Sequence, residues 1–249
     1  MTMAGVLDPR GPASLHGHRA VVTGAARGIG RRIAGELAAG GAEVIVFDAV
    51  DPVETVAEIR DAGGKADGAR LDVTDRARVD RVIRAVGRLD ALVTCAAVYG
   101  DAMPVDELTE FEVDRVLGVN VKGTLWTIGA ALPSLREHRG RVVCVGSVAG
   151  KVGGVLAGPH YVASKGAVHA MVKWLAKTEA GNGVIANGVA PGVVATEMIE
   201  GKGYSENYCP LGRLAEPAEI ARVAAFLASP AASYMTGTIV DVNGGYAMG

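Results

Sequence analysis

The chain has 249 residues, enough for one sizeable α/β domain with a full core. It is 49% hydrophobic, 21% charged and 4% aromatic, with a formal net charge of −2. That balance lacks the basic field nucleic acids require, the basic cluster a membrane surface attracts, and the aromatic platforms on which single strands stack.

The opening stretch, "MTMAGVLDPRGPASLHGHR", has no apolar centre of the signal-peptide kind and holds Pro9 and Pro12. Residues 1–16 are therefore expected to be a flexible leader and residues 17–249 a single domain. No apolar run approaches the ~18 residues of a membrane span. A cytoplasmic protein is the expectation.

From "RAVVT" (19–23) onward, apolar runs of strand length alternate with segments of helical period. "RAVVT" leads into "GIGRRIAGELAAGG", and "EVIVFD" (43–48) into "PVETVAEIRDAG". "ADGARLD" (66–72) precedes "DRARVDRVIRAVG"; "LDALVTCA" (89–96), "RVVCVGS" (141–147), "NGVIANGVA" (182–190) and "GTIVDVN" (237–243) complete the series. Strands buried on both faces read as such unalternating runs. Repeated βα units predict an α/β fold, one doubly wound parallel sheet of about seven strands with helices on both faces. The cysteines Cys95, Cys144 and Cys209 show no CxxC spacing, and the first two fall in apolar runs, as buried free thiols do. His16 and His18 form a lone HxH without further ligands, so no metal is expected.

"TGAARGIG" (23–30) sits where the first strand hands over to a helix. Glycines there let the backbone approach a pyrophosphate, which the helix N-terminus then holds. A turn that simply needs glycine at φ > 0 is the bland alternative. The second strand ends in Asp48, placed to take the ribose hydroxyls of NAD and to repel a 2′-phosphate. Arg27 argues the other way, since a guanidinium could pair with that phosphate. The carboxylate is the nearer group, so NAD(H) is expected over NADP(H).

"PHYVASKGAV" (159–168) places Tyr161 four residues before Lys165, on one face of a helix whose first turn Pro159 suits. Alone, such a pair is surface. As chemistry, a neighbouring ammonium would lower the phenol toward the range of a general acid–base. Ser147 ends the fifth strand, at the sheet edge where doubly wound folds hold ligands, and its hydroxyl could stabilise a forming alkoxide. His160 adjoins Tyr161 but points elsewhere on the helix, so pocket lining or surface is expected of it.

Taken in order, these motifs resemble the short-chain dehydrogenase/reductase family over residues 17–246. "TGAARGIG" is similar to its cofactor loop, "LDV" (71–73) to its adenine contact, "GVNVKG" (118–123) to its Asn segment, and "YVASK" (161–165) to its Tyr-x-x-x-Lys signature. "GSVAG" (146–150), "APGVVATEM" (190–198) and "DVNGG" (241–245) continue the match. The resemblance implies a Rossmann-type domain with Asn120, Ser147, Tyr161 and Lys165 as catalytic residues. It implies cofactor contacts from Gly24, Arg27, Gly28, Ile29, Gly30, Asp48, Asp72, Val73 and Ala96, from Tyr161 and Lys165, and from Pro191, Gly192, Val194 and Thr196. By the same resemblance Asn120 holds a water and Lys165 the nicotinamide ribose. Where the family shows Asn-Asn-Ala-Gly, this chain has Thr94, Cys95, Ala96 and Ala97, which bears on cofactor packing.

The implied activity is interconversion of a secondary alcohol and a ketone with NAD(H). Reduction of 3-oxoacyl groups on a carrier protein or coenzyme A is one alternative, and a silent dinucleotide-binding sensor another. Residues 199–210, "IEGKGYSENYCP", match the family's mobile substrate lid, with Tyr204 and Tyr208 as walls. Its shortness favours a small free substrate, in a pocket lined by Val98, Tyr99, Val152, Leu156 and Met198. The helix carrying Met171, Val172, Trp174, Leu175 and Ala176 has more apolar positions than one buried face needs, and the resemblance implies a homotetramer.

Overall fold

The strands form because runs such as "AVVT" and "ALVT" are apolar on both sides and must be covered on both. In the computed structural model, which describes residue 11, residues 13–154 and residues 156–248, they make one parallel sheet. Its members are β1 (Arg19–Thr23), β2 (Glu43–Asp48), β3 (Lys65–Arg70), β4 (Ala91–Thr94), β5 (Arg141–Val145), β6 (Ile185–Pro191) and β7 (Ile239–Val242). The order is β3-β2-β1-β4-β5-β6-β7, a doubly wound Rossmann-type arrangement.

Successive strand residues enter opposite cores. Val22, Val44, Val93, Val143 and Val189 pack with Ile33 and Leu37 of α1 (Gly28–Ala39) and with Ile220 and Leu227 of α8 (Pro217–Ala228). Val21, Leu92, Val142 and Ala186 face the other side. There they meet α3 (Arg76–Ala85), α5 (Thr124–His138) and α7 (Pro159–Glu179) through Val79, Ile83, Leu135, Val168 and Val172. The remaining helices are α2 (Val53–Asp61), α4 (Glu110–Leu117) and the single turn α6 (Ala149–Val152). Side chains start several of them: Asp75 accepts from the Arg78 amide, Thr109 from the Glu112 amide, and Glu216 with Glu219 forms a capping box.

From β1 the chain winds outward to β2 and β3, and from β4 it winds the opposite way. The reversal opens a crevice at the carboxyl ends of β1 and β4, and the site lies there. Residues 1–10 and 12 of the expected leader lie outside the described residues. Its end corrects the expectation, because Leu15 is 2% exposed within the core and its amide donates to the Gly40 carbonyl at 2.8 Å. A leucine with that burial is anchored. Among the described residues no helix is long and apolar enough to cross a membrane.

Candidate active site

The glycine loop closes tightly on itself. Gly24 and Gly28 adopt φ of +68° and +56°, which side chains rarely take. A Cβ on Gly24 would come 2.5 Å from the Ala96 Cα, and one on Gly30 would strike the Gly24 carbonyl. Helix α1 starts at Gly28 with no side-chain cap and no acidic residue in its first turn. Its first amides and its dipole are thus left for an anion.

Around this loop stand the groups expected of a dinucleotide site. Asp48 accepts from the Ala26 amide at 2.9 Å and the Val50 amide at 3.2 Å, which fixes the carboxylate between loop and strand end. Asp72 accepts from the Thr74 amide and hydroxyl through one oxygen, leaving the other outward. Arg27 pairs at 2.7 Å with Glu197 beyond β6, an exposed pair that spans the cleft. The segment that replaces Asn-Asn-Ala-Gly is held differently: Thr23 Oγ1 accepts from the Cys95 amide at 3.3 Å and the Ala96 amide at 3.5 Å. Cys95 is half-buried rather than buried, because it leaves the strand and borders the cleft; Cys144 is fully buried.

At the other end, Pro159 opens α7 at its first position and the helix carries Tyr161 and Lys165 one turn apart, both buried. Lys165 Nζ lies 5.7 Å from the Tyr161 ring centre and donates to the Val145 carbonyl at 3.0 Å. Burial pushes the Tyr161 phenol up to about 12, with the nearby Ser147 hydroxyl acting the other way. Burial also pushes the Lys165 ammonium down to about 8. This corrects the expectation that Lys165 lowers Tyr161. The ammonium is turned to the end of β5, where it donates to the Val145 carbonyl, and burial governs the phenol.

Ser147 Oγ accepts from the Ala149 amide at 3.1 Å, which leaves its own proton free to donate. His169, one turn beyond Lys165, places Nε2 3.4 Å from the Ser147 amide. Burial first, and nearby lysines second, hold His169 down at about 4, so the ring stays a neutral acceptor. Asn120 sits in a π-helical turn, Gly118–Gly123. Its amide exchanges two hydrogen bonds with the Val98 backbone, at 2.8 and 2.9 Å, and donates to Ser164 Oγ at 3.0 Å. The Asn120 side chain thus ties the segment after β4 to α7 and does not border the cleft.

One cleft of about 1850 Å³ runs along both ends. It is bordered by every expected cofactor position, Ile29, Val73, Pro191, Gly192, Val194 and Thr196 included, and by Ser147, Tyr161 and Lys165. Of the expected substrate walls, Val98, Tyr99 and Met198 border it. Val152 and Leu156 do not: Val152 ends the one-turn α6 and is 49% exposed, and Leu156 lies outside, under Gly203. His160 is neither lining nor surface. It is buried beside Gly100, with Nε2 3.7 Å from Glu112 and neither ring nitrogen hydrogen-bonded. Five of the chain's six tyrosines gather at the substrate end. The Tyr99 ring lies 4.6 Å from Tyr161, the Tyr99 and Tyr204 hydroxyls meet at 2.6 Å, Tyr208 packs on Tyr204, and Tyr246 closes the far side. Tyr246, His169 and Lys202 are the site groups that sequence reading passed over. His169 shares the helical face of Tyr161 and Lys165, so its signal was present.

Known proteins share this layout. A family model described as enoyl-(acyl carrier protein) reductase matches residues 24–247. Galactitol 2-dehydrogenase (L-tagatose-forming) of Cereibacter sphaeroides is 40% identical over 96% of this chain and 99% of its own. The 3-oxoacyl-(acyl-carrier-protein) reductase of Thermotoga maritima is 36% identical over 93% and 98%. A crystal structure assigned to an NAD(P)-dependent gluconate 5-dehydrogenase of Beutenbergia cavernae, with NADP at low occupancy, superposes with a TM-score of 0.90. It is 36% identical and covers 95% of this chain and 99% of its own.

Proposed function

The chain belongs to the short-chain dehydrogenase/reductase family of oxidoreductases, and from that premise we propose that it interconverts a secondary alcohol and a ketone with NAD(H). The observation that carries this reading is the buried Tyr161, Lys165 and Ser147 set at the end of β5, opening onto a dinucleotide-sized cleft. The residues fit a dinucleotide: a glycine cradle that any Cβ would disturb, an uncapped helix start, and carboxylates at Asp48 and Asp72.

When bound, the nicotinamide would supply or accept a hydride. The protein's residues do the rest. Loop amides and the start of α1 would hold the pyrophosphate, and Asp48, whose oxygens keep spare lone pairs, would accept from the ribose hydroxyls. Ser147, with its oxygen occupied by the Ala149 amide, donates to the substrate oxygen. Tyr161, held up at about 12, keeps its proton at neutral pH and gives it to the forming alkoxide. In the reverse direction it must lose that proton, so alcohol oxidation rises with pH. A panel of ketones and secondary alcohols, followed at the nicotinamide absorbance band, tests the reading. Turnover of none with the dinucleotide bound would favour a sensor. The Thermotoga maritima relative favours 3-oxoacyl groups as the second reading, so the panel includes 3-oxoacyl thioesters. Relatives named for galactitol and gluconate, and the short lid, favour a small free substrate.

Asp48 should repel a 2′-phosphate, so kcat/KM with NAD(H) is expected to exceed that with NADP(H) at least about tenfold, or about 1.4 kcal/mol. Asp48→Ala should narrow the ratio. NADP in the related crystal structure makes this a real contest. Equal values in the unaltered protein would make Arg27 the deciding residue.

A homotetramer is the proposed assembly. On α7, Val172 and Leu175 are buried in the core while Trp174 is 61% exposed, and Phe111 on α4 is 76% exposed. Such faces are suited to a second copy. Light scattering should report four chains at micromolar concentration, and a monomer would overturn this.

A further inference from the structure

The segment between β6 and α8 crosses the substrate end of the cleft and carries one cation there. Lys202 stands between Gly201 and Gly203, whose φ of +71° and +79° belong to the left-handed region, and its amide donates to the Ile199 carbonyl at 3.1 Å. Its side chain is half-buried, and Nζ lies 5.0 Å from the centre of the Tyr99 ring. That ring in turn lies 4.6 Å from the ring of Tyr161. The ammonium is one aromatic ring away from the phenol that handles the proton.

Of the other cations bordering the cleft, three arginines have carboxylate partners, while among the described residues Arg32, Lys122 and the buried Lys165 have none, and of these only Lys165 joins Lys202 at the substrate end. Arg27 pairs with Glu197, Arg115 with Glu112, and Arg31 with Glu54 and Glu58. Among the described residues no carboxylate comes within ion-pair distance of Lys202. The face of Tyr99 attracts a cation, but far less than an anion would. An ammonium over an aromatic wall at the substrate end, with no ion-pair partner of its own, is placed to take an anion. The Tyr99 and Tyr204 hydroxyls are hydrogen-bonded to each other at 2.6 Å, which leaves one O–H free to donate on the same side.

We infer that the substrate carries a carboxylate a few carbons from its reacting carbonyl, and that Lys202 selects it. This deepens the alcohol–ketone reading above and rests on it. The substrate class is that of short keto acids and their hydroxy acids. The carboxylate pairs with Lys202 and accepts from a phenol of Tyr99 or Tyr204, while the carbonyl faces Ser147 and Tyr161. Each turnover reduces one ketone to one secondary alcohol, consuming one NADH and one proton, and leaves the carboxylate unchanged.

The test compares kcat/KM, with saturating NADH, for 4-oxopentanoate and 5-oxohexanoate against their methyl esters, which keep the carbonyl and lose the charge. Butanone and cyclohexanone serve as neutral references. One acid should exceed its ester by about tenfold or more at low salt. That ratio should shrink with added salt, because the pair is partly screened. In Lys202→Met the acid-to-ester ratio should collapse toward one, mostly through KM of the acid. Lys202→Arg should retain much of it. Esters used as well as acids by the unaltered protein, or a Lys202→Met variant that lowers acid and ester in equal proportion, would overturn the inference. In both cases the alcohol–ketone reading survives. No reduction of any acid, ester or neutral ketone would overturn that reading and this one with it.

Discussion

Tyr161→Phe should lower turnover by about 10²–10⁴-fold while NAD(H) binding, followed by fluorescence, stays within a few-fold. The ring itself packs at 4.6 Å on Tyr99 and is buried, and phenylalanine keeps both of those features. Only the hydroxyl is lost, and with it the proton it would donate. The variant therefore separates proton transfer from architecture. Retention of more than about a tenth of native activity would mean that the phenol is not the proton donor, whatever its position.

Lys165→Met should also abolish most turnover, yet leave the fold more stable at neutral pH. The ammonium is buried and held at about 8, against an ordinary 10.5. Such a depression corresponds to roughly 3 kcal/mol set against folding, offset by about 1 kcal/mol for the hydrogen bond to Val145 that methionine cannot make. A gain of about 1–3 kcal/mol in unfolding free energy at pH 7 is the expected result. The sign follows from proton counting. Between about 8 and 10.5 the unfolded chain binds more protons at this residue than the folded one, so native stability rises with pH across that window. The advantage of methionine should shrink over the same window. Urea unfolding of both proteins at pH 7 and pH 9.5 measures it. A less stable variant at pH 7 would mean that the ammonium contributes to the fold. Dinucleotide binding should weaken as well if Lys165 reaches the ribose.

The architecture was legible because its strands are buried on both faces, which turns "RAVVT", "EVIVFD" and "RVVCV" into unbroken apolar runs. Gly24, Gly28 and Asp48 were legible for a similar reason, since a tight turn and a strand end leave local marks. The Tyr161–Lys165 spacing is also local. What that spacing could not reveal is where the lysine turns: toward Val145, a carbonyl on another element. Nor could it weigh burial against charge at Tyr161, because burial is supplied by Tyr99 and the lid. His160 shows the same limit. Its position on the helix was right, but its burial against Gly100 and Glu112 depends on the loop after β4 and on α4, which share no period with α7. Lys202 and Tyr246 reach the cleft from irregular segments, where no spacing rule applies. Leu15 joins the core beside the α1–β2 turn, where its amide donates to the Gly40 carbonyl, and nothing around it in the sequence repeats.

Hydride exchange between the carbinol carbon and a nicotinamide is the central claim, and isotope transfer tests it most directly. The best secondary alcohol of the panel, deuterated at its carbinol carbon, is incubated with the protein and NAD⁺, and the NADH formed is analysed by mass spectrometry. The account predicts one deuterium in the NADH for each ketone produced, and about 10²–10⁴-fold less deuterated NADH when Tyr161→Phe is used at equal concentration and time. NADH without deuterium, or no ketone while NAD⁺ is demonstrably bound, would contradict it.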